Sequence, residues 1–431
     1  MNPHKFLFLL SSLLLASLLP AQTTRKPPST FKLISMNVTG TKRYTPAEII
    51  TATGLQLGQT VSEADFKRAS QQLGETGAFS DVAYTYQYSA QGTKLDLQVE
   101  DSNQFIPVRF DNFVWFSDQE LAEKLHGVVP LFHGQLPVAG GLIDQVSDAL
   151  QTLLLERKLQ GRADYMRTAH RDGPIEAFVF KVTGPTIGIR NVAFTGSAPA
   201  ELPLLQAAAK NLQGEEYLRS TLQVQAEKNL LPIYLERGYL KAAFADSQAK
   251  IAQENPQETI VDVDFPVNPG RQYKLTQIHW SGNTVFAAEK LQPLIHLQTG
   301  QYANAVQLSN DLEAVQKLYG TRGYLAAHIR SIPQMDDTQS TVGYQLQVHE
   351  GDMYRMGELE IQGLDARTTA RLVESWKLRG GDPYDASYPQ QFLNDTNHLI
   401  PLAPWKISVH NSLNEKDKTV DVTLHFDPKP Q

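Results

Sequence analysis

The sequence predicts an α+β fold built from five tandem copies of one strand–helix–helix–strand–strand (βααββ) unit. Three observations carry that expectation. The chain writes nearly the same heptapeptide twice, ERGYLKA at 236–242 and TRGYLAA at 321–327. A glycine recurs at the end of a β-rich segment, at Gly40, Gly196, Gly282 and Gly363. Copies close on an alternating apolar run, the pattern of a half-buried strand.

The N-terminus reads as a leader. Met1 to Lys5 carries a positive charge, Phe6 to Leu19 is a 14-residue apolar run, and Pro20-Ala21-Gln22 follows. This is the layout of a secretory signal peptide, expected over residues 1–21. The run is short for a membrane helix, which needs about 20 apolar residues; an uncleaved anchor is the alternative. Residues 22–30 form a polar, proline-bearing leader, and no later segment is apolar enough to span a bilayer as a helix.

The first copy (31–101) runs from FKLISMNVTG through helical stretches at TPAEII and DFKRASQQLG to the hinge TGAFSDV and the closing TKLDLQVED. Asn37-Val38-Thr39 matches a glycosylation sequon but is more simply a strand entering a turn. The second copy (102–184) lacks the turn glycine and has FDNFVWFSDQEL instead; its helix carries Ile143, Val146, Leu150 and Leu153, and it closes on IEAFVFKVTG. The third (185–269) has Pro232 inside its second helix, which should kink or shorten it.

The fourth copy (270–351) is the clearest. Leu275, Ile278 and Trp280 mark a strand, and a helix follows from about Phe286. Leu308, Leu312, Val315 and Tyr319 fall on one face of the next helix. Gly320 and Gly323 end it. Val342, Tyr344, Leu346 and Val348 then alternate along a strand. The fifth copy (352–431) closes on TVDVTLHF, with Trp405 where Tyr324 sits and Pro401 and Pro404 crowding the helix end. The glycine after the second helix is placed at Gly77, Gly161, Gly238 and Gly323. It permits a left-handed exit, and Tyr239 and Tyr324 are expected to fill the gap between helix and sheet. Joints between copies are short: Gly184-Pro185, Pro269-Gly270 and Gly351-Asp352.

Composition excludes several functions. The net charge of −7 disfavours a nucleic-acid partner. Without cysteine there is no disulfide, thiolate metal site or thiol nucleophile. The 11 histidines include no HExxH pair, and His349-Glu350-Gly351-Asp352 reads as a strand end. His126 and His133, seven apart in a Gly/Pro-rich stretch, could share a metal, but no metal site is expected. Asp336-Asp337 sits in a polar turn, where solvation accounts for it. No nucleophile elbow, phosphate loop or dinucleotide fingerprint appears. The expectation is a protein that is not an enzyme, with no cofactor and no small-molecule substrate.

The strand–turn segments NVTGTKRYTPAEI, AFTGSAPAELPLL, HWSGNTVFAAEKL and EIQGLDARTTARL, with the hinges TGAFSDV, ERGYLKA and TRGYLAA, resemble an array of POTRA domains. The resemblance covers nearly the whole chain after the leader. Tandem copies in this number resemble the periplasmic part of BamA-type proteins of the Omp85 superfamily. That family carries a C-terminal β-barrel, whereas this sequence ends at DPKPQ, so barrel-catalysed insertion is not carried over.

The resemblance implies a three-stranded mixed sheet in each unit, with two helices on one face. It also implies that the second strand is an exposed edge, open to an added strand from a partner. Those edges are expected at Val82 to Tyr88, Arg162 to Thr168, Leu240 to Gln248, Leu325 to Ile332 and Lys406 to Asn411. The candidate binding residues are Val82, Tyr84, Tyr86 and Tyr88; Leu240, Ala242 and Phe244; and Leu325, Ala327 and Ile329. The tyrosines could instead cover their own sheet. The expected function is a periplasmic scaffold for outer membrane β-barrel proteins or their assembly subunits, peripheral to the outer membrane. The alternatives are an envelope tether of the FtsQ type, or a split or truncated member of the barrel family.

Overall fold

A computed structural model describes residues 28–169, 173–255, 257–396 and 404–429. The signal-peptide expectation and the one for Pro401 fall outside these residues. The chain divides into two compact units, one to Pro185 and one from Thr186.

In the first unit, β1 (Leu33–Thr39) leads to α1 (Pro46–Ala52), α2 (Glu63–Glu75), β2 (Phe79–Ser89) and β3 (Gly92–Asp101). Both helix starts are written locally: capping boxes pair Thr45 with Glu48 and Ser62 with Asp65. The sheet order is β1-β3-β2, with β3 parallel to β1 and antiparallel to β2. The closing strand therefore lies in the middle, which is why its inward residues Leu95, Leu97 and Val99 are almost fully buried.

The second repeat comprises β4 (Phe105–Phe110), α3 (Asp118–Val128), β5 (Gln135–Pro137), α4 (Leu142–Glu156), β6 (Arg162–Ala169) and β7 (Ile175–Thr183). Here β5 adds a fourth strand outside β4, giving the order β5-β4-β7-β6. The missing turn glycine has a structural replacement. Elsewhere the chain passes close over the closing strand: a Cβ on Gly282 would lie 2.3 Å from the Val348 carbonyl oxygen. In the second repeat the buried Asn112 side chain takes that place. It donates to the Val182 carbonyl at 2.9 Å and accepts the Val182 N–H at 2.7 Å, extending the ladder where β4 has ended. The left-handed exit also differs from expectation, since it falls on Lys158 (φ 61) and not on Gly161.

The second unit holds three repeats. The third consists of β8 (Thr186–Ala193), α5 (Leu202–Ala208), α6 (Arg219–Gln225), α7 (Leu231–Leu235), β9 (Ala243–Phe244), β10 (Gln248–Glu254), β11 (Glu258–Asp264) and β12 (Val267–Asn268). Pro232 does not break its second helix. A π-turn over Ala226–Leu230 joins α6 to α7 and absorbs the hydrogen bond that proline cannot make.

The fourth repeat has β13 (Lys274–Ser281), α8 (Ala288–Leu291), α9 (Ala305–Gly320), β14 (His328–Asp336) and β15 (Thr341–His349). The fifth has β16 (Arg355–Gln362), α10 (Ala366–Ser375), α11 (Tyr388–Asp395), β17 (Trp405–Asn414) and β18 (Thr419–Pro428). Their sheets follow the orders β10-β11-β8, β13-β15-β14 and β16-β18-β17.

The fold is thus α+β, a tandem series of βααββ repeats. The alternation read in the closing strands is the burial pattern. Val342, Tyr344, Leu346 and Val348 are buried, as are Val420, Val422, Leu424 and Phe426. Each such side chain contributes about 1.5–3 kcal/mol by leaving water. Among the described residues no sheet closes into a barrel.

Candidate functional site

The strand that pairs antiparallel with the closing strand of each repeat, namely β2, β6, β10, β14 and β17, lies at the edge of its sheet. An edge strand carries unpaired backbone groups along one side. Natural edges are blunted by proline or charge, and β14 carries Pro333.

On β2, Val82, Tyr84, Tyr86 and Tyr88 are half-buried and alternate with exposed residues. Their rings turn inward: Phe66 of α2 lies 5.1 Å from Tyr86 and 6.5 Å from Tyr84, and Phe31 lies 5.5 Å from Tyr88. The Tyr86 hydroxyl donates to Glu63 at 3.0 Å. The aromatic ladder therefore packs on its own repeat.

One other edge borders a groove, and a cavity lies just ahead of another. In the third repeat a cavity of about 180 Å³ lies between Arg219, Gln223, Glu227 and Leu231 of the second helix and Phe244 of β9 and Ala245, ahead of the edge strand β10. In the fourth, a groove of about 330 Å³ lies between Ala305, Leu308 and Leu312 of α9 and Ser331, Pro333 and Met335 of β14. Only the second is flanked by an edge strand, and Leu235 and Leu240 of the third repeat also line it.

The remaining expected edge residues need correcting. Leu240, Ala242, Leu325 and Ala327 precede their strands, because the chain stays in a turn after the hinge glycine. Ala242 N–H donates to the Tyr239 carbonyl at 3.1 Å, and Ala327 N–H to the Tyr324 carbonyl at 3.3 Å. The strands begin later, so Phe244 lies in β9 and Ile329 in β14. The edge expected over Leu240 to Gln248 is interrupted at 245–247 and resumes as β10.

The repeated heptapeptide is instead the joint between repeats. Gly238 and Gly323 are left-handed (φ 80 and 85). Their carbonyls accept the N–H groups of Tyr273 and Tyr354, each at 2.8 Å and each at the start of the next repeat. Leu240 then packs against the core of the fourth repeat and Leu325 against that of the fifth. Tyr239 and Tyr324 stand edge-on to Tyr234 and Tyr319 within their own repeats.

A polar cluster completes the first of these joints. Lys241 of the third repeat donates to Asp337 of the fourth at 2.6 and 2.7 Å. The Tyr273 hydroxyl donates to the same carboxylate at 2.6 Å, and the Arg271 guanidinium to the Asp337 backbone carbonyl at 2.8 Å. Hydrogen bonds from Lys241 and then Tyr273 hold the Asp337 carboxyl below its ordinary range. Asp337 is therefore more than a solvated turn residue. Nothing in its turn sequence signals this, because its partner stands in the preceding repeat. In the first unit, Arg43 plays a comparable part, donating to Gln135 at 2.9 Å and lying 3.8 Å over the Phe105 ring.

Residues 273–351 match the POTRA family, described as a surface antigen variable number repeat. Over 289 residues the chain is 27% identical to the outer membrane protein assembly factor BamA of Neisseria meningitidis, covering 62% of this chain and 34% of that protein. Over 425 residues it is 20% identical to BamA of Nitratidesulfovibrio vulgaris, covering 93% of this chain and 50% of that protein. The chain thus spans a third to a half of the length of these relatives. The crystal structure of Haemophilus influenzae BamA POTRA3-5 aligns with a TM-score of 0.44 at 19% identity, covering 56% of this chain and 96% of that one. The chain resembles the periplasmic part of BamA-type assembly factors.

Proposed function

We propose that this tandem POTRA protein is a periplasmic scaffold, associated with the outer membrane, that assists the assembly of outer membrane β-barrel proteins. Clients or partner subunits are held by strand addition to its sheet edges. The observation that carries the reading is the groove flanking edge strand β14 in the fourth repeat. An added strand gains main-chain hydrogen bonds from the edge, while its inward side chains enter the groove. Such binding tolerates many guest sequences, which suits clients defined by being strands. The relatives whose names describe outer membrane assembly factors support the same reading. No step of this role requires catalysis or a cofactor.

The test is crosslinking in cells from photoreactive residues placed at exposed Lys250 on β10 and exposed Arg330 on β14, with Gln316 on α9 as an off-edge control. Capture of β-barrel proteins or assembly subunits from the edge positions, and not from the control, supports the scaffold. Capture of division or inner-membrane proteins alone would replace it with the tether.

A further inference from the structure

At the joint between the first and second repeats, Glu48 meets two histidines that lie far from it in sequence, His126 and His133. Glu48 stands in the first turn of α1. Its carboxylate is fixed by the helix start, where Oε2 accepts the Thr45 N–H at 2.7 Å. The other oxygen, Oε1, faces the second repeat. There it meets His133 Nε2 at 3.0 Å and His126 Nε2 at 3.5 Å. Their ligating atoms all lie within 4.8 Å of one another.

The tautomer of His126 gives this cluster its meaning. His126 Nδ1 lies 3.2 Å from the Phe132 carbonyl oxygen, an atom that only accepts, so Nδ1 carries the proton. In the neutral ring Nε2 then presents a lone pair, and that lone pair faces a carboxylate oxygen. Two electron-rich atoms at this distance call for a positive charge between them. The His126 ring also sits in the last turn of α3, where the helix dipole favours a cation.

We propose that Glu48, His126 and His133 form a site for a divalent transition cation of the zinc class, bridging the first and second repeats. Two imidazoles and one carboxylate suit zinc, and suit calcium or magnesium poorly. A tetrahedral ion with bonds of about 2.0–2.1 Å places its ligands roughly 3.3 Å apart, so a small closure of the His126–His133 gap is sufficient. The groups around the ligands are those that hold a ligand in position. The Phe132 carbonyl fixes the His126 tautomer, the Thr45 N–H fixes Glu48, and the Tyr44 ring stands edge-on to His133 at 5.4 Å. The fourth position is left to water. Because the ligands come from both repeats, the bound ion pins their joint.

The test is calorimetric titration of the chelator-treated, tag-free full chain with zinc chloride. Parallel titrations use calcium and magnesium chloride and the variants His126→Ala, His133→Ala and Glu48→Gln. Glutamine keeps the capping hydrogen bond while removing the anionic ligand. One equivalent of zinc should bind with a micromolar or tighter constant. Each variant should weaken it by at least about 10-fold, and calcium and magnesium should not compete. Absence of zinc binding in this range, or binding that persists in the His126→Ala/His133→Ala double variant, overturns the proposal. So does preference for calcium or magnesium.

Discussion

The carbonyl of Gly323 accepts the N–H of Tyr354 at 2.8 Å, so the turn after the second helix of one repeat holds the chain just before the first strand of the next. A Cβ added to Gly323 would lie 2.2 Å from the Tyr354 carbonyl oxygen. Gly300, in the same repeat, has the same backbone angle (φ 85) but open space around it. Alanine at either position meets left-handed strain of about 1–2 kcal/mol; only Gly323→Ala must also displace the next repeat. Denaturant unfolding should show Gly323→Ala to be the more destabilising, and proteolysis should increase at 321–327 in that variant alone. Equal effects would mean that the joint does not depend on this contact.

The Lys241–Asp337 pair is exposed, and exposed pairs contribute about 0–1 kcal/mol. Asp337→Asn should therefore leave the unfolding midpoint nearly unchanged. Its effect should appear in the joint, as a broader range of distances between spin labels on the third and fourth repeats. Raising salt should produce part of the same broadening in the wild type. A large loss of stability would contradict this assignment.

Much of the fold is legible in the sequence because local patterns write it. The face of Leu308, Val315 and Tyr319 on α9 and the alternation along β15 are decided by period alone. What stays hidden depends on contacts between repeats. Leu240 and Leu325 look like strand residues, since an apolar residue after a hinge glycine suits either role. Only the position of the next repeat shows that they belong to its core. Glu48 cannot be paired with His126 and His133 from spacing, because 85 residues separate it from its nearer neighbour in space. Asn112 is hidden for another reason: a side chain that imitates backbone leaves no periodic trace.

Glu350 ties the closing strand of the fourth repeat to its first turn. It accepts the N–H groups of Thr284 at 2.7 Å and Val285 at 2.8 Å, and the Tyr319 hydroxyl at 3.0 Å. Burial alone would raise its carboxyl; the hydrogen bonds from Thr284, Val285 and Tyr319 outweigh that and hold it below its ordinary range. A depressed carboxyl contributes stability that is fully present above the ordinary glutamate value, about 4.3. That stability is lost as pH falls through the folded value. Glu350→Gln should therefore be less stable than wild type at pH 7, with the difference shrinking as pH is lowered below about 4. Urea midpoints across that range provide the measurement; a constant difference would show that the charge is not what matters.

Asn112 offers the sharpest test of how the second repeat manages without its turn glycine. Its amide satisfies both backbone groups of Val182, which is itself buried. Asn112→Ala leaves a buried N–H and a buried C=O without partners, at a cost of roughly 2–4 kcal/mol. Glycine, which serves the other repeats, should not rescue it. Asn112 is not among the left-handed residues, so this turn does not use the conformation that glycine supplies. Asn112→Asp keeps the acceptor for the Val182 N–H but loses the donor and buries a charge. It should be destabilised at neutral pH and partly restored on acidification, as the carboxyl takes up a proton and can donate again. Unfolding of the three variants at pH 7 and pH 5 separates these cases. A stable Asn112→Gly protein would mean that the second repeat can adopt the turn of its neighbours, and that the asparagine merely occupies the place.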